Sequence, residues 1–162
     1  MGDGQQSDTG PVPKGSGLFG RNETVLHASC VARAGRAVLI TGASGCGKSA
    51  LALQLIALGA QLVADDRTRL WQSDGRVMAD VPPTIRGRIE ARGVGILTTR
   101  TTGPAEVVLA VDLDQEEHER LPPDRDTMIS GCSVPLLFGI NAAHFASAIL
   151  IRLDSSSRSA PR

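Results

Sequence analysis

Lys48 and Ser49 close the segment Gly42-Ala43-Ser44-Gly45-Cys46-Gly47-Lys48-Ser49, which fits the spacing G-x-x-x-x-G-K-[ST] at every fixed position. Residues of these types in this order do phosphate chemistry. The glycines let the backbone curl until several N–H groups point inward at the start of a helix, whose dipole adds to them. A lysine there puts a cation at the β- and γ-phosphates of a nucleotide such as ATP, and the serine hydroxyl is a ligand for Mg²⁺. The flanks suit the role. An apolar run at 37–40 reads as a buried strand, and the apolar, helix-favouring run at 50–58 reads as the helix that follows.

A second set of candidates is acidic. Asp65 and Asp66 end the apolar run Gln61 to Ala64. An Asp at a strand end can hold Mg²⁺ through water, and a second one can accept the proton of an incoming hydroxyl, since phosphoryl transfer needs a placed nucleophile and neutralised phosphates. A pair of Asp residues can also do no more than open a turn. Glu90 precedes Gly93-Val94-Gly95, where the backbone could approach a ligand or simply reverse. His27 is a lone histidine, a residue type that packs structurally as readily as it catalyses. Cys46, inside the loop, fits either a small filler or a redox role. Arg86, Arg88 and Arg92 could meet phosphate, a partner surface or water.

The rest of the chain must position these groups. Its 162 residues suit one domain, expected at 21–153, between a leader (1–20) and a tail (154–162) rich in Gly, Ser and Pro that are expected to be disordered. Lys and Arg total 17 and so do Asp and Glu, and aromatics are scarce, so neither a nucleic-acid footprint nor base-stacking platforms are expected. Three cysteines without metal spacing point to a reduced, cytoplasmic protein, and no run is long enough to span a membrane. Strand candidates are Thr24 to Ala32, paired through Ala34-Gly35-Arg36 with the run before the loop, then Gln61 to Ala64, Thr68 to Gln72 with Arg76 to Ala79 as a hairpin, Gly93 to Thr99, Glu106 to Val111 and Ser133 to Phe138. Gly59 should end the first helix. Asp112 to Arg120 reads as a solvated helix or loop, and Asn141 to Leu153 as a closing helix capped by Asn141. The fold class is α/β, a mixed sheet with few helices.

Four matches in one order resemble a known family. His27 lies ahead of Gly42 as in the H-G-V-L-V strand of the catalytic domain of HPr kinase/phosphorylase; the phosphate loop and its helix follow; Leu62-Val63-Ala64-Asp65-Asp66 is similar to L-V-A-D-D; and after Pro82-Pro83, Glu90-Ala91-Arg92-Gly93-Val94-Gly95-Ile96-Leu97 is similar to E-I-R-G-L-G-I-I. The resemblance runs from about 23 to 140, and in size the chain looks like the short alphaproteobacterial type. It implies a phosphate-loop fold akin to phosphoenolpyruvate carboxykinase and a serine kinase, dependent on ATP and Mg²⁺, acting on HPr or an HPr-like phosphocarrier of the phosphotransferase system. It also implies Asp65 as the base taking the serine proton, His27 beside it, Lys48 on the β- and γ-phosphates, residues 42 to 49 around the nucleotide, and Ser49, Glu90 and Asp66 at the metal. Homo-hexamers are typical of the family.

Two departures bear on the reverse, phosphorylase reaction. Ala43 stands where the family's loop, G-D-S-G, has an acid, and Gly139-Ile140-Asn141-Ala142-Ala143 has no counterpart of the family's P-G-R-N. Two alternatives stay open: a small-molecule kinase and a nucleotide-sensing module without catalysis. Retention of Asp65 and Glu90 favours catalysis, because a sensor needs no base.

Overall fold

The computed structural model describes residues 23–156. The expected leader and most of the expected tail lie outside them. The chain runs β1 (Thr24–Leu26), β2 (Ser29–Arg33), β3 (Arg36–Thr41), α1 (Lys48–Ala57), β4 (Gln61–Ala64), β5 (Thr68–Ser73), β6 (Arg76–Asp80), β7 (Arg88–Ala91), β8 (Gly95–Thr98), β9 (Ala105–Glu116), β10 (Asp126–Ile129), β11 (Cys132–Gly139) and α2 (Phe145–Ser156). This is an α/β fold with a mixed sheet and few helices.

The strand path is β1-β5-β6-β9-β3-β2-β4, with β11 also on β9 and β10 on β11. β3, β9 and β11 run parallel, so Thr41, Asp112 and Phe138 stand side by side at one end of the sheet. The phosphate loop leaves from that end. Two short crossings join distant parts of the path: 27–28 carries the chain from β1 to β2, and 65–67 carries it from β4 to β5. They draw the two ends of the sheet together into a curl, and the Thr68 hydroxyl donates to the Ala28 carbonyl across the closure at 2.8 Å.

Side-chain alternation divides the core in two. The concave face is filled mostly by small residues, among them Ala28, Ala32, Ala37, Ala64, Ala79, Ala105 and Ala110 with Leu39, Leu70 and several valines. Small side chains let a sheet curl tightly without leaving a void, which suits a chain so poor in aromatics. The convex face presents Val31, Val38, Ile40, Leu62, Leu109 and Val111 to Leu51, Ala52 and Leu55 of α1 and Phe145, Ile149 and Leu153 of α2.

Local chemistry explains the turns. Ala34 and Gly35, and again Asp74 and Gly75, have positive φ, as two-residue hairpin loops require. Gly59 (φ 112°) ends α1 as expected: its N–H reaches the Ile56 carbonyl, and the Ala60 N–H that of Leu55, both at 3.0 Å.

Three expectations need correction. Thr24 to Ala32 is two strands, broken where the Ala28 N–H turns back to the Leu26 carbonyl (3.0 Å), because β1 and β2 pair with different partners. Asp112 to Glu116, the first part of the expected solvated helix or loop, is instead the end of β9, paired at Asp112 with Thr41 and Phe138 and at Glu116 with Gly139. Residues 114–116 are exposed as expected, and 117–120 carry no strand or helix. Asn141 does not cap the last helix, which begins at Phe145 after a turn closed by the Phe145 N–H on the Ala142 carbonyl. That start sets Phe145, Ala146, Ile149, Leu150 and Leu153 on the buried face.

Candidate active site

Residues 42–47 lead from β3 into α1, in the strand–loop–helix order expected of them. Gly47, at the helix N-cap, has φ 103°; no side chain caps the helix, and its first turn holds no acid. The first amides are thus free for an anion. A Cβ on Gly45 or Gly47 would meet nothing within 4 Å, so both open onto space, whereas one on Gly42 would lie 2.5 Å from the Cys46 sulfur. The loop folds around its own cysteine and leaves Gly45 and Gly47 facing outward. Lys48 is buried, and its Nζ donates to the carbonyls of Gly42 (2.8 Å) and Ala43 (3.0 Å).

A cleft of about 560 Å³ opens on this loop, lined by Ser44, Gly45, Gly47, Lys48 and Ser49 on one side. His27, Asp66, Glu90 and Arg92 line it too. Gly42, Ala43 and Cys46 are not among the lining residues; they form the loop's footing. The acidic pair divides. The Asp65 Oδ1 accepts the hydroxyls of Ser49 (2.7 Å) and Ser29 (2.8 Å), and its Oδ2 the backbone N–H of Glu90 (3.2 Å). Asp65 therefore stands directly behind Ser49, turned toward the loop. Asp66 faces the cleft itself, and its carboxylate, not that of Asp65, meets the His27 ring.

The backbone holds Asp66 in place. Its φ is 66°, and the Arg67 N–H reaches the Asp65 carbonyl at 2.7 Å, a tight i-to-i+2 turn in a region that L-residues avoid. His27 sits in the other i-to-i+2 turn, at the other crossing of the curl. The two crossings that close the sheet are thus the two that carry this pair.

β7 and β8 form a separate two-stranded hairpin. Ile89 and Ala91 anchor it in the core, while Arg88 and Glu90 point the other way. Gly93 and Gly95 serve the turn between the strands: both have positive φ and neither has a neighbour within 4 Å of an added Cβ. Of the arginines, Arg92 lines the cleft, Arg88 faces outward, and Arg86 is drawn to Asp80 (3.4 Å).

Sequence reasoning passed over Ser29, Asp112 and Asp114. The Ala43 N–H donates to Asp114 Oδ1 at 2.9 Å, and the Asp114 N–H donates to Asp112 Oδ1 at the same distance. Only the parallel pairing of β3 with β9 brings residues so distant in sequence to the loop, so no local pattern could have found them.

The residues suit ATP and Mg²⁺. The donors around Ser49 are a hydroxyl and carboxylates, the hard oxygens that Mg²⁺ takes. Among the described residues no group of three or more His, Cys, Asp or Glu could hold a metal alone. A cation completed by phosphate oxygens needs no such group. No helix among the described residues is long and apolar enough to cross a membrane.

Comparison with known proteins agrees with the motifs. The HPr kinase/phosphorylase of Clostridium botulinum (strain Eklund 17B / Type B) is 32% identical over 158 residues, which cover 86% of this chain and 52% of that protein. That of Latilactobacillus sakei subsp. sakei is 45% identical over 73 residues, 44% of this chain and 23% of that one. The chain spans about half the length of the first of these relatives. The solved structure of the Hpr(Ser) kinase/phosphatase from Coxiella burnetii superposes with a TM-score of 0.69 at 27% identity, covering 85% of this chain and 99% of that one. The family model described as the HPr Serine kinase C-terminal domain matches residues 21–135, and the chain belongs to that family.

Proposed function

We propose that the chain is an ATP- and Mg²⁺-dependent serine kinase whose acceptor is HPr or an HPr-like phosphocarrier of the phosphotransferase system. The observation that carries this reading is convergence on one cleft. The loop's Lys48 and Ser49, the Asp65 carboxylate bonded to Ser49, and the His27–Asp66 pair meet at one end of the sheet. A sensing module needs only the first of these. The relatives named kinase/phosphorylase add support to the activity; a fold of the phosphoenolpyruvate carboxykinase type and assembly as homo-hexamers are proposed with it on the family resemblance alone.

In this reading Lys48 leaves the carbonyls of Gly42 and Ala43 for the β- and γ-phosphates, and the α1 amides bind the remaining oxygens. Ser49, Glu90 and Asp66 would hold Mg²⁺, which when bound neutralises charge on the phosphates. Asp65 takes the proton of the serine hydroxyl, and His27 orients Asp66. A second reading has a specific observation in its favour: Asp66, not Asp65, lines the cleft. There Asp66 accepts the proton and Asp65 fixes Ser49.

The test is incubation with γ-labelled ATP, Mg²⁺ and an HPr-like carrier, scoring label on serine. Label on the carrier is expected, and its absence while ATP still binds would overturn the reading. Asp65→Asn and Asp66→Asn then separate the two assignments. If Asp65 is the base, Asp65→Asn loses phosphoryl transfer with nucleotide binding kept, and Asp66→Asn weakens binding of Mg²⁺·ATP. If Asp66 is the base, Asp66→Asn loses transfer with binding kept, and Asp65→Asn, which frees Ser49, weakens binding of Mg²⁺·ATP.

A further inference from the structure

Ser29 is a polar residue in a buried strand, itself 0% exposed. Burying a hydroxyl costs free energy unless it is hydrogen-bonded, so its partner shows what it is for. Among the described residues the other buried polar side chains are Lys48, Thr68 and Asp80. Lys48 bonds to carbonyls of the phosphate loop and Thr68 to the Ala28 carbonyl across the curl. Asp80 meets the Val81 N–H and the guanidinium groups of Arg69 and Arg86. The Ser29 hydroxyl alone goes to a carboxylate of the candidate active site, donating to Asp65 Oδ1 at 2.8 Å.

The sheet dictates this meeting. β2 lies between β3 and β4, with Ser29 opposite Ile40 on one side and Cys30 opposite Ala64 on the other. Carried one residue further, the antiparallel register sets Ser29 across from Asp65, within reach of a short side chain. The three donors to Asp65 differ in how firmly they are held. Ser49 lies in the first turn of α1 beside the phosphate loop, and the Glu90 N–H belongs to the separate β7–β8 hairpin. Ser29 comes from a strand paired on both edges. In the kinase reading the Ser49 oxygen is a ligand for Mg²⁺, so its bond to Asp65 must adjust when the nucleotide arrives. A donor outside that exchange keeps Oδ1 where it is.

We propose that Ser29 is a positioning residue for phosphoryl transfer, fixing the Asp65 carboxylate with Oδ1 at Ser49 and Oδ2 at the Glu90 N–H. The proposal rests on the kinase reading above and applies to either assignment of the base, because Asp65 is used in both. Ser29 does not line the cleft, so it acts through Asp65 and not on phosphate or acceptor.

The experiment is steady-state labelling of an HPr-like carrier by the wild type, Ser29→Ala, Ser29→Thr, Ser29→Val and Asp65→Asn. Ser29→Ala should lower kcat/KM for ATP about tenfold, the scale of one hydrogen bond to a charged group. If Asp65→Asn loses transfer with ATP binding kept, the loss in Ser29→Ala should fall on kcat. If Asp65→Asn weakens binding of Mg²⁺·ATP, it should fall on KM for ATP. KM for the carrier should not move. Thr and Val have nearly the same shape, so crowding at this buried position is common to both. Ser29→Thr should therefore exceed Ser29→Val about tenfold, a comparison that stands even where Ser29→Ala does not fold. Wild-type kinetics in Ser29→Ala overturn the proposal. So does a Thr variant no better than Val, or a loss that falls on the other constant. If the wild type labels no carrier, the kinase reading fails first and this one with it.

Discussion

Two carboxylates, each paired with a nitrogen-bearing side chain, do opposite work. His27 and Asp66 meet at the cleft with side chains 48% and 66% exposed, and Asp66 is held in a left-handed turn. Glu117 and Arg125 meet beyond the end of β9, largely covered, and Arg125 lies 4.1 Å from the Phe138 ring. Glu117 also accepts the Glu119 N–H, while the backbones of Glu117 and Arg125 bond to Gly139 and Leu136. An exposed pair contributes roughly 0–1 kcal/mol to stability, so stability does not explain why the first is kept in a backbone conformation that costs about as much. The difference teaches how to read charge in this fold. Groups left wet on unfavourable backbone are held for use, and groups covered and bonded on every side are fasteners.

Lys48→Ala offers the hardest test of the first half of that contrast. Removing the one cation from the loop should lower phosphoryl transfer by about a thousandfold and weaken ATP binding, measured by labelling and by titration calorimetry. Asp66→Gly comes next. It should lower transfer about a hundredfold while the melting temperature stays level or rises, because glycine adopts φ 66° without steric cost. A clear fall in melting temperature would make Asp66 a fastener and erase the distinction.

Glu117→Gln tests the other half, with an effect on stability instead of turnover. The Arg125 hydrogen bond, ahead of the opposing desolvation, holds the Glu117 carboxyl below the usual carboxylate range. A depressed value in the folded state means a contribution present above the unfolded carboxylate range and lost as pH falls through the folded one. The variant should therefore melt below the wild type at neutral pH, and the gap should close on acidification. Labelling of a carrier should be unaltered. A gap that widened in acid would reverse the assigned cause.

The sequence spoke clearly where chemistry and short-range pattern coincide. Gly42 to Ser49, the two hairpin turns and Gly59 each depend on neighbours a few residues away, and each was legible. The acidic pair was legible as a pair, but its division was not. Which carboxylate stands behind Ser49 and which faces the cleft depends on the Asp66 turn, and nothing in two adjacent aspartates announces it. The break at His27 was hidden because both halves of Thr24 to Ala32 favour strands; their different partners split them. Asp112 to Glu116 misled for the opposite reason. Its charges rightly suggested solvent, but pairing of Asp112 with Thr41 and Phe138, and of Glu116 with Gly139, kept it extended.

Asp114 is where that miss matters, and it yields the smallest expected effect. Its Oδ1 takes the Ala43 N–H at 2.9 Å, and Thr41, two residues earlier, is already paired with Asp112. The entry of the phosphate loop is thus fastened from outside by the end of β9, while Lys48 holds it from within. Asp114→Ala frees one amide and leaves every cleft residue in place, so KM for ATP should rise a few-fold with kcat little changed. Asp114→Asn keeps an acceptor oxygen and should recover most of the loss. If Asn behaves like Ala, the charge and not the hydrogen bond matters. Asp114 then belongs with the groups held for use, although it wears the bonds of a fastener.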